Sequence, residues 1–267
     1  MDRLDELESK SIYIIREAYH RFKKIAVLWS VGKDSTVLLH LIRKSFFGRV
    51  PFPVVYIDTG KHFKEMYEFR DRLAKEWNLN LIISRNEEAD RLGIGPKDKF
   101  ECCNIRKTEA LKKTIREYGF EALLLGIRRD EHGVRAKERY ISPRDENFRW
   151  NYEDQPPEIW DQYKTKSDEK THLRVHPLLH WTELDVWLYV KREGLPVNPL
   201  YFARKINGAW KRYRSLGCEP CTTPIESKVK NIDEMIEEIK TSKTAERAGR
   251  SLDKEKIMQR LRALGYM

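Results

Sequence analysis

Residues 24–30, KIAVLWS, form an apolar run that ends in Ser30-Val31-Gly32-Lys33-Asp34-Ser35 and passes directly into Val37, Leu38, Leu41 and Ile42 at helical spacing. A strand that turns into a helix so abruptly leaves the first N–H groups of the helix unpaired and aimed at one spot, where the positive end of the helix dipole reinforces them. Such a turn cradles phosphate. The strand before it is apolar throughout, so both its faces must be covered. A second apolar strand follows PFPVV at residues 54–57; a helix at 64–77 precedes a strand at 79–84, and a helix at 108–118 precedes a strand at 121–126. Strands alternating with helices in this way predict an α/β fold with a doubly wound parallel sheet. Ligands on such sheets bind beyond the carboxyl ends of the strands, which here are residues 30–35, Asp58-Thr59-Gly60 and residues 126–130.

An amphipathic helix over residues 3–22 leads into the first strand. Residues 140–170, with Pro143, Pro156 and Pro157, read as an irregular excursion or lid. A short strand at 173–179 and a helix at 182–192 follow, the helix opening on Thr182 and Asp185 at capping-box spacing. The remainder holds a cysteine pair, a helix at 233–240 and a basic tail. The expected organisation is a catalytic domain over residues 1–200 and an irregular, partly helical extension over 201–267. At 267 residues and 40% hydrophobic the chain can bury a large core, which excludes a disordered tail or a small disulfide-stapled module. Its apolar stretches fall short of the roughly 20 residues that span a bilayer, and no signal-peptide pattern opens it, so no membrane and a cytoplasmic location are expected. The formal charge of +10 suits nucleic acid, an acidic protein or small anions and selects none of them.

The loop is not a Walker A motif, because Asp34 follows Lys33 and Val27 stands where that motif has its first glycine. It resembles the SGGKDS loop of the ATP pyrophosphatase (PP-loop) superfamily, whose members cut ATP between the α and β phosphates. In that role Gly32, with Val31 beside it, lets the backbone approach the leaving pyrophosphate and Lys33 neutralises its charge. Ser30 and Ser35 donate hydroxyl hydrogen bonds, and Asp34 holds Mg²⁺ or serves as a plain N-cap. Further blocks narrow the resemblance: Ser11 to Glu17, Pro51-Phe52-Pro53, Asp58-Thr59-Gly60, Glu65 to Arg72, Arg128-Arg129-Asp130-Glu131, Arg135 to Arg139, Trp181-Thr182-Glu183, Arg214 to Cys218, Glu246-Arg247-Ala248-Gly249-Arg250 and the closing Gly265-Tyr266. In this order they are similar to the small, catalytic subunit of bacterial sulfate adenylyltransferases.

That resemblance implies an adenine nucleotide α-hydrolase-like sheet, the substrates MgATP and sulfate, and a larger GTPase subunit as partner. It makes Lys33, Asp34, Arg128 and Arg129 the catalytic candidates and adds Asp58 and Gly126 to the ATP site. Arg128, Arg129, Arg135, Lys137 and Arg139 are the candidates for holding the acceptor dianion. Salt bridges to Asp130, Glu131 and Glu138 are the alternative use of that block.

The four cysteines fall in two close pairs, Cys102-Cys103 and Cys218-x-x-Cys221, which suggests one metal centre. The pairing resembles the cluster-binding pattern of assimilatory adenylylsulfate reductases and implies a [4Fe–4S] cluster, with Arg106 and Lys107 offsetting its charge. Zinc on four thiolates and unligated structural thiols remain alternatives. No cysteine follows Cys221 and the phosphate loop is intact, which favours ATP chemistry over sulfonucleotide reduction. PP-loop enzymes that modify nucleic acid with sulfur, by tRNA thiolation or DNA phosphorothioation, are the second reading. His172, His176 and His180 are expected to pack or line the lid, and Trp29, Trp160 and Trp187 to serve core or lid.

Overall fold

The computed structural model describes residues 2–163, 165, 172–244, 246–247 and 255–265. Ala248, Gly249, Arg250 and Tyr266, named above for their resemblance, lie outside the described residues. The strands of the main sheet are β1 Ile25–Leu28, β2 Val54–Asp58, β3 Leu81–Arg85, β4 Ala122–Leu125, β5 Ile141–Arg144 and β6 His172–Val175. They lie in the order β3-β2-β1-β4-β6-β5, and every pairing is parallel except β5 with β6. The helices are α1 Arg3–Arg21, α2 Lys33–Ser45, α3 Lys64–Glu76, α4 Glu88–Arg91, α5 Lys99–Cys103, α6 Ala110–Tyr118, α7 Gly133–Ala136, α8 Glu183–Glu193, α9 Ile232–Thr241 and α10 Glu255–Ala263.

Side chains alternate across a strand, and here the alternation divides the interior in two. Ile25, Val27, Val54, Tyr56, Ala122 and Leu124 face one core, which Val37, Leu38, Leu41 and Ile42 of α2 and Ile14 and Ile15 of α1 complete. Ala26, Leu28, Val55, Ile57, Leu123 and Leu125 face the other, under Leu111 and Ile115 of α6. This is the doubly wound α/β arrangement that the apolar strands predict.

Chain order reverses at β1, which pairs β2 on one side and β4 on the other. The segments leaving β1 and β4 therefore diverge, and a crevice opens between them. Gly126 lets the crevice form: a Cβ there would lie 3.0 Å from the backbone of Asp34 and Ser35, so the end of β4 touches the start of α2.

Three elements depart from the expected pattern. The excursion at 140–170 contains β5, which closes the sheet edge antiparallel to β6. The strand expected at 173–179 stops at Val175, because Pro177 cannot donate to a ladder. The extension carries a second sheet of β7 Arg204–Ile206, β8 Ala209–Arg212 and β9 Ile225–Glu226, antiparallel throughout, and its tail forms α10. Among the described residues no helix is long and apolar enough to cross a membrane.

Candidate active site

The residues after β1 form the floor of a cleft of about 1020 Å³, counted out to its mouth. Ser30, Gly32, Lys33, Asp34 and Ser35 line it, as does Gly126. Val31 takes a left-handed conformation, φ 65°, while its side chain is buried. That twist brings the two serines together, with their hydroxyls 3.1 Å apart and Ser35 Oγ accepting from the Ser30 N–H at 3.2 Å. The N-cap of α2 is Gly32, with no side-chain cap, and this corrects the N-cap alternative for Asp34, which lies inside the first turn. The Lys33 N–H donates to the buried Tyr201 hydroxyl at 2.9 Å.

Charge is concentrated here. Lys33 Nζ is 3.1 Å from Asp34 Oδ2 and also bonds Glu246 Oε1. Arg128, fully buried, reaches Asp34 Oδ1 and Glu246 Oε2 with its two Nη atoms and Asp130 with Nε at 2.9 Å. Burial works against charge on the Glu246 carboxyl, but Arg128 and Lys33 outweigh it and hold the group well below the usual carboxylate range. Glu131 is likewise buried and held low, first by Arg135 and then by Arg128 and Arg247. Arg135 meets Glu131 Oε2 at 2.5 Å and Arg247 meets the same oxygen at 3.3 Å.

The basic block does not act as one surface. Arg135 lines the cleft and Arg128 meets the phosphate loop, but Arg129, Lys137 and Arg139 lie outside its lining. The turn Arg129–Glu131 and the single helical turn of α7 send successive side chains in different directions. Arg129 contacts His180 and donates to the Glu138 carbonyl at 3.2 Å; Lys137 stands over the Tyr152 ring; Arg139 donates to the Pro156 carbonyl at 3.3 Å. Asp58, expected beside the nucleotide, is also outside the lining. Its Oδ1 accepts from the Gly60 N–H at 2.8 Å and the Tyr67 hydroxyl at 2.9 Å, which fixes the turn after β2. His172 and His176 are buried in the core, Trp29 and Trp187 likewise, whereas Trp160 is exposed.

The cleft is also lined by residues to which the sequence reading gave no site role, among them Tyr201, Glu246 and Arg247, and by Lys107, which that reading set beside the cysteines instead; of these Glu246 and Arg247 matter most for the charge of the site. The last two stand in a block noted above for its resemblance, and that was the available signal.

A second, smaller cavity adjoins the first and shares Lys107 with it. Cys102, Cys103, Cys218 and Cys221 all line it, together with Thr59 and Arg106. The four are buried and free of disulfides. Cys218 Sγ lies 3.2 Å from Thr59 Oγ1; burial opposes its ionisation, but Lys107 and His62 bring its thiol down to about 5. Burial pushes Cys103 up to about 11. Arg106, expected to offset cluster charge, is engaged by Asp90 and by the carbonyls of Thr59, Ala89 and Ile94. Among the described residues no three His, Cys, Asp or Glu side chains are grouped to hold a metal ion. Four buried thiols nonetheless line one cavity, a donor set that suits a cubane cluster or a single zinc alike.

The phosphoadenosine phosphosulfate reductase domain matches residues 24–224. Sulfate adenylyltransferase subunit 2 of Zymomonas mobilis is 42% identical over 283 residues, spanning 96% of this chain and 94% of the relative. The protein of that name from Colwellia psychrerythraea is 39% identical over 296 residues, spanning 100% and 99%. Among solved structures, the phosphate complex of phosphoadenylyl-sulfate reductase from Candida auris superposes with a TM-score of 0.57 at 19% identity, covering 84% of this chain and 98% of that one. FMN adenylyltransferase of Candida glabrata in complex with ATP gives 0.56 at 20% identity, covering 83% and 63%. At such identities the structures support the fold alone.

Proposed function

The chain belongs to the sulfate adenylyltransferase subunit 2 family, and we propose that its cleft transfers AMP from MgATP to sulfate, giving adenylylsulfate and pyrophosphate. The observation that carries this reading is the loop of residues 30–35 at the reversal of chain order, with Lys33 in the loop, Arg128 reaching it from beyond β4 and Arg135 on the adjoining wall. A sulfate oxygen attacks the α-phosphorus, the bond to the β-phosphate bridging oxygen breaks, and negative charge grows on the departing pyrophosphate. Lys33, Arg128 and the N–H groups at the start of α2 stand where they can stabilise that charge, which is catalysis by fixed electrostatics with no enzyme nucleophile. Arg135 holds the sulfate dianion against repulsion from the triphosphate. Gly126 keeps the loop backbone in place beside the nucleotide. Asp34, the carboxylate within the loop, would hold Mg²⁺, which would supply charge neutralisation across the phosphates.

The [4Fe–4S] cluster belongs to the same proposal. Cys102, Cys103, Cys218 and Cys221 would hold it, and when bound it supplies a covalent tie between two distant chain segments at the edge of the cleft. A larger subunit is the proposed partner, in keeping with the family's designation as subunit 2, and a GTPase is the candidate for it.

Pyrophosphate release from MgATP, measured with and without sulfate and with and without tRNA or DNA, tests the function. Sulfate-dependent release is expected, and Lys33→Ala or Asp34→Ala should lower it by at least about tenfold. Arg135→Gln should raise the sulfate KM more than the ATP KM. ADP and phosphate as products would overturn the reading, and release that needs nucleic acid in place of sulfate would transfer the enzyme to nucleic-acid sulfur modification.

A further inference from the structure

The phosphate site of the free protein already holds an anion of its own. Glu246 enters the cleft from beyond α9, and each of its oxygens bonds a different cation, Oε1 to Lys33 and Oε2 to Arg128. Lys33 is the cation within the loop, and Arg128 lies against the loop from beyond β4. A carboxylate that bridges them occupies the place of two phosphoryl oxygens, and its side chain is only 5% exposed, so it is seated in the site. The backbone is treated in the same way, since the Lys33 N–H at the head of α2 is taken by the Tyr201 hydroxyl. Asp34 supplies the second carboxylate to the same pair of cations.

The two cations face three carboxylates, Glu246, Asp34 and, through Arg128 Nε, Asp130, which leaves little attraction for a further anion. A triphosphate entering with Glu246 in place would set its oxygens against a buried carboxylate, and at short range in a poorly solvated cleft that repulsion is severe. The buried pairs themselves add little to stability, because desolvating the charged groups offsets their attraction, so the arrangement is not explained as a fold-stabilising clamp.

We infer that Glu246 is an internal ligand of the phosphate site that the polyphosphate of MgATP must displace, and that it excludes a lone tetrahedral anion such as sulfate from the loop. The consequence for a two-substrate enzyme is direct. Sulfate and the phosphates of ATP are both tetrahedral oxyanions, and an open loop would bind either. An internal carboxylate sets a threshold: a polyphosphate with its many contacts passes it and a single dianion does not, which leaves sulfate to the Arg135 wall. Measured affinity then equals the intrinsic affinity reduced by the fraction of molecules with Glu246 displaced.

The inference rests on the reading of residues 30–35 as the phosphate site, and one experiment separates the two. Inorganic pyrophosphate is titrated calorimetrically into wild-type protein and Glu246→Gln, each with and without sulfate. The variant should bind pyrophosphate at least about tenfold more tightly, as the fraction of open sites rises, and sulfate should compete with pyrophosphate in the variant but not in the wild type. Equal or weaker binding by the variant would overturn the inference and make Glu246 a residue that holds Lys33 and Arg128 in position. A wild type that binds neither pyrophosphate nor MgATP would instead remove the phosphate-site reading. Should Glu246→Gln fail to fold, hydrogen exchange at Glu246 and Arg247 in the wild type decides: faster exchange with pyrophosphate bound supports displacement, and unchanged or slower exchange refutes it.

Discussion

Val31 is the residue at which sequence and geometry disagree most openly. A β-branched side chain in the left-handed region costs about 1–2 kcal/mol, and here the cost is borne at the turn that aims the N–H groups at the head of α2 into the cleft. The usual order of alanine above glycine in stability should therefore invert at this position. Both Val31→Ala and Val31→Gly lose the two buried γ-methyl groups and glycine loses the Cβ as well, but only glycine relieves the backbone, so chemical denaturation should show Val31→Gly slightly the more stable, by less than about 1 kcal/mol. Residue-level chemistry was legible wherever the interacting groups are neighbours in the chain: Ser30, Lys33 and Ser35 act within one turn, and their spacing announces it. Glu246, Tyr201 and Arg247 were not legible as site residues, because nothing local to them records that the chain returns to the head of α2. The same limit explains Arg129, Lys137 and Arg139, whose charge is evident in sequence but whose directions are set by a short turn that composition does not encode.

Elements show a parallel contrast. The parallel strands announce themselves through unbroken apolar runs, whereas β5 and the second sheet do not, since their strands are short and partly polar. One signal was present: Asn207 and Gly208 both adopt positive φ, 50° and 79°, between β7 and β8, as an Asn-Gly pair in a two-residue hairpin does. The start of α8 was readable for the opposite reason, because its cap is local. Thr182 and Asp185 form the capping box, and Arg3 adds two hydrogen bonds of 2.8 Å to the Asp185 carboxylate. Burial tends to raise the Asp185 carboxyl, yet Arg3 and Thr182 outweigh it and hold the group below its ordinary value. A depressed folded-state pKa gives stability that is present above the unfolded value, near 4, and lost as pH falls through the folded one. Arg3 is largely exposed, so solvent screens its share, and the cap contributes most of an effect of about 1 kcal/mol. Asp185→Asn should accordingly lower stability by about that amount at pH 7, and the gap to wild type should close as pH falls below about 4 in denaturation curves taken across that range.

At the scale of the whole molecule, the extension is part of the cleft: Tyr201, Ser215, Leu216, Gly217, Glu246 and Arg247 all line it alongside the loops of the main sheet. The four cysteines join the same two parts of the chain. Cys102 and Cys103 end α5, at the entry to a π-helical turn at Asn104–Glu109, and Cys218 and Cys221 flank a turn whose Glu219 N–H donates to the Lys61 carbonyl at 2.8 Å. A cluster bound to all four would therefore fasten the extension to the carboxyl edge of the sheet, and because the ligands are placed only in the folded chain, its binding free energy adds to folding stability. Protein purified anaerobically should then absorb at roughly 400 nm and carry about four irons per chain. Removing the iron should lower Tm by at least about 5 °C, with Cys218→Ser giving a similar loss and MgATP binding weakened in both, because Lys107 lines the thiol cavity and the larger cleft proposed for the nucleotide alike. Iron-free protein with an unaltered Tm after anaerobic isolation would reduce the quartet to buried thiols, and the joining of the two parts would then rest on the shared core around Tyr201, Tyr213 and Met235 and on ion pairs such as those of Glu246 and Glu131, of Arg204 with Glu65 and of Arg214 with Glu183.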